Sequence, residues 1–169
     1  AEADDIIGTL VPVYSPHEKI LILSSDGDFL QLQKYQNVKQ YNPAQKKFVI
    51  SQDPLKELKM KIINGDKGDG IPNIFSSSDC FVREIRQKPV TKGTLSKLLS
   101  EDIENHNNEY VKHGFIRNQN LIDLAFIPKE IKEKIINSYE EIKPAPKQNL
   151  FNYFVENRLM NLIDCIGDF

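Results

Sequence analysis

Carboxylates gathered at three places give this sequence its chemical character. Glu2-Ala3-Asp4-Asp5 precedes an amphipathic stretch, Ser24-Ser25-Asp26-Gly27-Asp28 directly follows a compact apolar run, and Gly65-Asp66-Lys67-Gly68-Asp69-Gly70-Ile71-Pro72 is a glycine-rich segment. Each alone has a plain explanation. An acidic first turn suits a helix dipole, and Ser, Asp and Gly leave a strand well. Together, six or seven carboxylates at one sheet edge would repel strongly without cations. Hard oxygen donors of this kind select Mg²⁺ or Mn²⁺, and two such ions activate water and stabilise the leaving oxygen of a phosphodiester. The second cluster is not an EF-hand, because Leu30 stands two positions after Asp28 and the loop glycine and terminal glutamate are missing. The third is not a phosphate-binding P-loop, since no Gly-Lys-Ser/Thr ending follows a strand. His17, His106 and His113 have no motif around them and read as surface residues, so no Ser–His–Asp or Cys–His arrangement competes.

The elements that must position these groups follow from spacing. Ile6, Ile7, Leu10 and Val11 predict a short opening helix on which Glu2 and Asp5 share a face and Asp4 projects about 100° away. Ile20-Leu21-Ile22-Leu23, apolar throughout, predicts a buried parallel strand, and ligand sites in open parallel sheets lie beyond such carboxyl ends. Asp26 and Asp28 would share a face in an extended strand, but Gly27 lets the chain turn there. Val38–Tyr41 and Phe48–Ile50 flank Asn42-Pro43-Ala44-Gln45 as strand, turn and strand. Asp53-Pro54 starts a helix whose buried stripe is Leu55, Leu58, Ile62 and Ile63, stopped at Asn64-Gly65. Residues 66–93 are expected to be loops and short turns. From Thr94 the pattern is helical, with breaks near Asn105–Asn108, at Pro128 and at Lys143-Pro144-Ala145-Pro146. Leu150, Phe154, Leu159, Leu162, Ile163 and Ile166 repeat at helical spacing. The fold class expected is α/β: a partial parallel sheet followed by a helical carboxyl-terminal subdomain.

The 169 residues carry a net charge of −2 and 40% hydrophobic residues, as in an ordinary soluble domain. An acidic site can cancel a basic surface in that sum. Between Cys80 and Leu99 stand Arg83, Arg86, Lys88, Lys92 and Lys97 against one acid, Glu84. With Thr91, Thr94 and Ser96 nearby they suit contacts to a phosphate backbone, which position a duplex without reading sequence. Lys67, inside the third cluster, joins them as a candidate nucleic-acid contact. Cys80 and Cys165 fit no ligand spacing and read as reduced thiols of a cytoplasmic protein. No apolar run reaches membrane-spanning length. The opening residues, without an initiator methionine, read as the middle of a longer protein.

In order and spacing, Glu2-Ala3-Asp4-Asp5, then Ser24 to Leu32, then Gly65 to Pro72 resemble the later three acidic motifs of the flap-endonuclease and 5′-exonuclease superfamily. The resemblance covers essentially the whole chain, and Val38-Lys39-Gln40, Tyr153 to Val155 and Ile166 to Phe169 are similar to its bacteriophage members. It implies a PIN-like 5′ nuclease fold, with residues 1–70 as the later part of the α/β metal-binding core and 71–169 as the duplex-binding region and helical appendage. It implies a 5′-to-3′ exonuclease and flap endonuclease with ribonuclease H activity, removing RNA primers and 5′ flaps during phage DNA replication. Glu2, Asp4 and Asp26 would serve a tighter Mg²⁺ site, and Asp28, Asp66 and Asp69 a second, more water-mediated one, with Mn²⁺ able to substitute. Asp4, Asp26, Asp28 and Asp69 would be catalytic. The implied partners are DNA and RNA–DNA duplexes with 5′ ends or flaps, and a single-stranded-DNA-binding protein at the appendage.

Two departures qualify the resemblance. Asn73-Ile74-Phe75-Ser76-Ser77-Ser78 stands where cellular relatives carry a Gly-x-Gly hairpin, which shifts phosphate gripping towards basic side chains. The family's earlier strand, with its aspartates and its arch, has no counterpart in these residues, so the metal cage is expected to be open on one side. The rival expectations are a non-catalytic duplex-binding module and a PIN-type ribonuclease; the Gly-Asp-x-x-Asp-Gly-Ile-Pro run and long helical tail argue against the latter.

Overall fold

Helix α1 (Ala3–Tyr14) begins where the backbone leaves the extended conformation of Glu2, with Asp4 and Asp5 in its first turn. The Glu2 amide donates to the Asp5 carboxylate at 2.9 Å, so Asp5 satisfies a helix-end donor. Gly8 is packed closely against the chain around Leu124, since a Cβ there would lie 2.9 Å from the Leu124 side chain. The computed structural model describes residues 1–143, 146 and 149–168. They form two compact units, Ala1–Ile136 and Asn137–Phe169.

The first unit contains a three-stranded sheet in the order β1 (Ile20–Leu23), β2 (Val38–Asn42), β3 (Lys47–Val49). β1 and β2 are parallel, with Ile20 opposite Val38 and Leu23 opposite Tyr41; β3 returns antiparallel, with Phe48 opposite Tyr41. Ile22 and Val38 pack with Val11 of α1 and with Phe29 and Leu32 of a 3-10 helix (Gly27–Lys34). The expectation that β1 is buried on both faces is corrected here: Leu21 and Leu23 are 52% and 66% exposed. Side chains alternate across a strand, and the described residues of this unit cover only the face that carries Ile22.

Asp53 caps α2 (Pro54–Asn64), accepting from the Lys56 amide at 3.0 Å, and Pro54 fills the first helical position. The packed stripe begins at Leu58 and continues through Ile62 and Ile63, whereas Leu55, expected within it, is exposed. These residues build a second core with Ile71, Ile74, Leu98, Val111, Phe115 and Ile122. The contributing helices are α3 (Lys92–Ser100), capped by Thr91, and α4 (Glu109–Ile122), capped by Asn108. Residues 66–91 run as turns and irregular chain, as the glycines, serines and prolines there dictate. Pro128 stands one residue ahead of α5 (Lys129–Glu141), its carbonyl accepting from Ile131 and Lys132.

The second unit holds α6 (Asn149–Glu156), α7 (Met160–Ile163) and a 3-10 turn (Ile166–Asp168). The helical spacing of 150–166 is interrupted, because Arg158 takes a left-handed φ of 56°. Pro144 and Ala145 of the expected break, and Phe169, lie outside the described residues. Cys80 and Cys165 are both free thiols. Among the described residues no helix is long and apolar enough to cross a membrane.

Candidate metal centre

The turn after β1 is fixed from three directions. Asp26 caps the 3-10 helix, its Oδ1 accepting from the Asp28 amide at 2.9 Å, and its own amide donates to Ser24 Oγ at 3.1 Å. From β2 the buried Gln40 side chain donates to the carbonyls of Ser24 (3.0 Å) and Asp26 (2.6 Å). Gln31, further along the same 3-10 helix, donates to the Ile122 carbonyl and accepts from the Leu124 amide, both at 3.0 Å. The aim of Asp28 is therefore set by buried amides and not by the loop alone.

The third cluster is held as firmly. Gly65 ends α2 with φ of 70°, and a Cβ there would meet the Ile71 carbonyl at 2.3 Å, so only glycine fits. Asp66 Oδ1 accepts from the Gly68 amide at 2.8 Å, and the Asp66 carbonyl accepts from Ile71 at 2.7 Å. Asn118 of α4, fully buried, donates to the carbonyls of Ile62 and Pro72, each at 2.8 Å. It ties the end of α2 to the far end of the acidic loop.

These devices bring Asp28, Asp66 and Asp69 together, with one ligand oxygen from each lying within 4.8 Å of the others. Among the described residues no other group of His, Cys, Asp or Glu converges in this way. Lys61, in the last turn of α2, pairs with both Asp28 and Asp66, the latter at 2.8 Å. Its hydrogen bond holds the Asp66 carboxyl below the usual carboxylate range, with the amides of Gly68 and Asp69 assisting. Burial works to lower the Lys61 ammonium, but the hydrogen bonds and charges of Asp28 and Asp66 together raise it. At the edge of this cluster Asp4 is pushed up, first by burial and then by the charges of Asp26, Asp28, Glu2 and Asp5. Three converging carboxylates, two of which already hold an ammonium, are a donor set suited to a hard cation. Glu2 and Asp26 are exposed, and they do not join the convergent trio.

The basic residues are all exposed and follow one another along the chain between residues 67 and 97. Lys67 is exposed in the acidic loop; Arg83, Arg86 and Lys88 are exposed in the turns before α3; Lys92 and Lys97 are exposed on α3. Arg83 is paired with Asp79 at 3.2 Å and Lys97 with Glu101 at 3.7 Å, while the Lys88 ammonium lies 5.1 Å from the Tyr110 ring centroid. Where the hairpin glycines are lacking, Arg117 of α4 organises the chain. Its guanidinium donates to the carbonyls of Pro72 (2.9 Å), Asn73 (3.2 Å) and Ser76 (3.1 Å), and burial pulls its pKa down.

Sequence reasoning missed Lys61, Gln40, Asn118 and Arg117. Only Lys61 left a signal, a cation five residues ahead of Asp66 in a helix that runs into the acidic loop. The other three are polar residues in helices or strands whose partners are distant in sequence. His106, expected at the surface, is half-buried and its Nδ1 accepts from the Asn108 amide at 3.0 Å, which caps a turn.

Residues 54–169 match the family described as T4 RNase H, C terminal. The chain is 36% identical over 176 residues to the ribonuclease H of Enterobacteria phage T4, covering 99% of this chain and 58% of that protein. It thus spans less than two thirds of that relative's length. In fold it is similar to a mutant of the T5 5′-exonuclease (TM-score 0.54, 18% identity, 83% of this chain and 65% of that chain). It is also similar to a T5 protein co-crystallised with metal ions (TM-score 0.53, 18% identity, 83% of this chain and 59% of that chain).

Proposed function

The chain belongs to the T4 RNase H C-terminal family, and on that premise we propose that it supplies the later acidic motifs and the duplex-binding surface of a metal-dependent 5′ nuclease. The observation that carries this reading is the convergence of Asp28, Asp66 and Asp69 to within 4.8 Å of one another, two of them, Asp28 and Asp66, paired with the Lys61 ammonium. Asp28, Asp66 and Asp69 would hold one divalent ion, with Glu2, Asp4 and Asp26 the candidates for a second. Mg²⁺ is the expected ion, with Mn²⁺ as substitute. Such ions supply an activated water and stabilise the departing oxygen of the phosphodiester.

The chain's own residues do the positioning. The Asx turn at Asp66 and the Gln40 clamp on Ser24 and Asp26 fix the backbone from which the carboxylates project. Asp4, disfavoured as an anion by burial and then by its acidic neighbours, would be favoured as an anion by a nearby positive charge. Arg117 holds the 72–78 segment in one shape, and Lys67, Arg83, Arg86, Lys88, Lys92 and Lys97 meet duplex phosphates without reading bases. The substrates in this reading are DNA and RNA–DNA duplexes with 5′ ends or flaps. In the carboxyl-terminal unit, the exposed Phe151, Tyr153 and Val155 of α6 are the surface assigned to a single-stranded-DNA-binding protein.

The test is cleavage of an end-labelled 5′-flap DNA in Mg²⁺ or Mn²⁺ by this chain and by Asp28→Asn. Metal-dependent cutting that the variant loses upholds the nuclease reading. A second reading, duplex and metal binding without cutting, is favoured by the coverage of only 58% of the phage T4 relative. It is upheld instead if flap DNA is bound but never cut.

A further inference from the structure

Carboxylates alone would make a metal centre, and Lys61 has no part in that chemistry. Surface ion pairs are usually of little consequence, but this one differs in three respects. Its side chain is only 27% exposed, it is shared between two acidic motifs far apart in sequence, and both its partners belong to the convergent trio. The ammonium therefore lies against the same carboxylates that would hold a divalent ion. Two cations cannot share Asp28 and Asp66 at such distances without strong repulsion.

We infer that Lys61 is the site's built-in counter-cation, a positioning residue that holds Asp28 and Asp66 together before metal binds and is displaced when it does. This rests on the metal-centre reading above. Lys61 has the reach and freedom for the role: a flexible stem in the last turn of α2, anchored next to the buried Ile62 and Ile63. Helix α2 is itself fixed by Asn118, so the backbone need not move when the side chain swings out. The lysine has two consequences. It keeps the carboxylate cage folded in the absence of divalent ions, and it weakens metal binding by competing for the same oxygens.

The experiment uses the full chain and Mn²⁺ as the probe, with affinity read by calorimetry and melting temperature read in chelator. Lys61→Met is compared with Lys61→Arg, which keeps the charge, and with Lys56→Met, which removes an exposed charge from the same helix. Lys61→Met should bind Mn²⁺ at least tenfold more tightly than the parent and should melt several degrees lower in chelator. Lys61→Arg and Lys56→Met should each change affinity less than threefold. If Lys61→Met is unfolded in chelator, its refolding on addition of Mn²⁺ supports the proposal, and failure to refold at any Mn²⁺ concentration overturns it. Equal or weaker Mn²⁺ binding by Lys61→Met overturns the role of Lys61 alone. Absence of Mn²⁺ binding by the parent overturns the metal-centre reading with it.

Discussion

At the scale of single residues, the acidic site is a set of opposed electrostatic preferences. Asp66 is favoured as an anion by the Lys61 hydrogen bond, whereas Asp4 is disfavoured by burial and by its acidic neighbours. An acid whose folded pKa is raised destabilises the fold once ionised; the penalty is complete above its folded pKa and is relieved as pH falls through it. Asp4→Asn removes the charge, so in metal-free buffer at neutral pH it should raise the melting temperature, by about 2 °C. The gain should shrink as pH is lowered towards the ordinary value of 3.8, because the parent then protonates Asp4. Thermal melts across that range check both the sign and the window; a variant that melts lower at neutral pH would remove Asp4 from the crowded cluster.

At the scale of elements, the site depends on how closely α4 approaches the loops that follow α2. Gly114 allows this, since a Cβ there would lie 2.2 Å from the Ile74 carbonyl. Unlike the far end of a flexible side chain, that backbone cannot step aside without moving the whole 72–78 segment. Gly114→Ala should destabilise the fold by about 1–3 kcal/mol, the usual range for overpacking a filled interior. Urea unfolding should show a lower midpoint with an unchanged slope. Asn118→Ala is expected to act on the same junction from the polar side. It leaves the Pro72 carbonyl with one donor fewer, at about 1–3 kcal/mol, and unfolding midpoints would measure this too.

Across the whole first unit, acidic and basic surfaces follow one another along the chain, from the Asp28–Asp66–Asp69 cluster to the exposed cations of 83–97. A protein with a net charge of −2 can therefore still meet a polyanion, provided the cations lie together. Lys88→Ala with Lys92→Ala should weaken binding to flap DNA similarly for any sequence. The slope of log affinity against log salt should fall by about 2, close to one unit for each phosphate no longer neutralised. Mn²⁺ affinity should not change. Titrations at several salt concentrations measure the slope, and an unaltered one would remove these lysines from the interface.

Much of this was legible in the residues themselves. The helix start at Asp53-Pro54, the stop at Gly65, the strand–turn–strand of 38–50 and the three acidic clusters follow from local rules, because caps, turns and period act over a few neighbours. Motif order carried the family. Tertiary structure alone decided which face of Ile20–Leu23 is covered, since an all-apolar run looks the same whether one side or both are packed. It alone showed that Leu55 lies outside the stripe that begins at Leu58. It also decided that Asp28 joins Asp66 and Asp69 while Glu2 stays apart, and that Lys61, Gln40, Asn118 and Arg117 hold the arrangement. Such hydrogen bonds join residues as many as 93 positions apart, as for Gln31 and Leu124. Local spacing carries no record of them; they exist only once the helices and the sheet have packed.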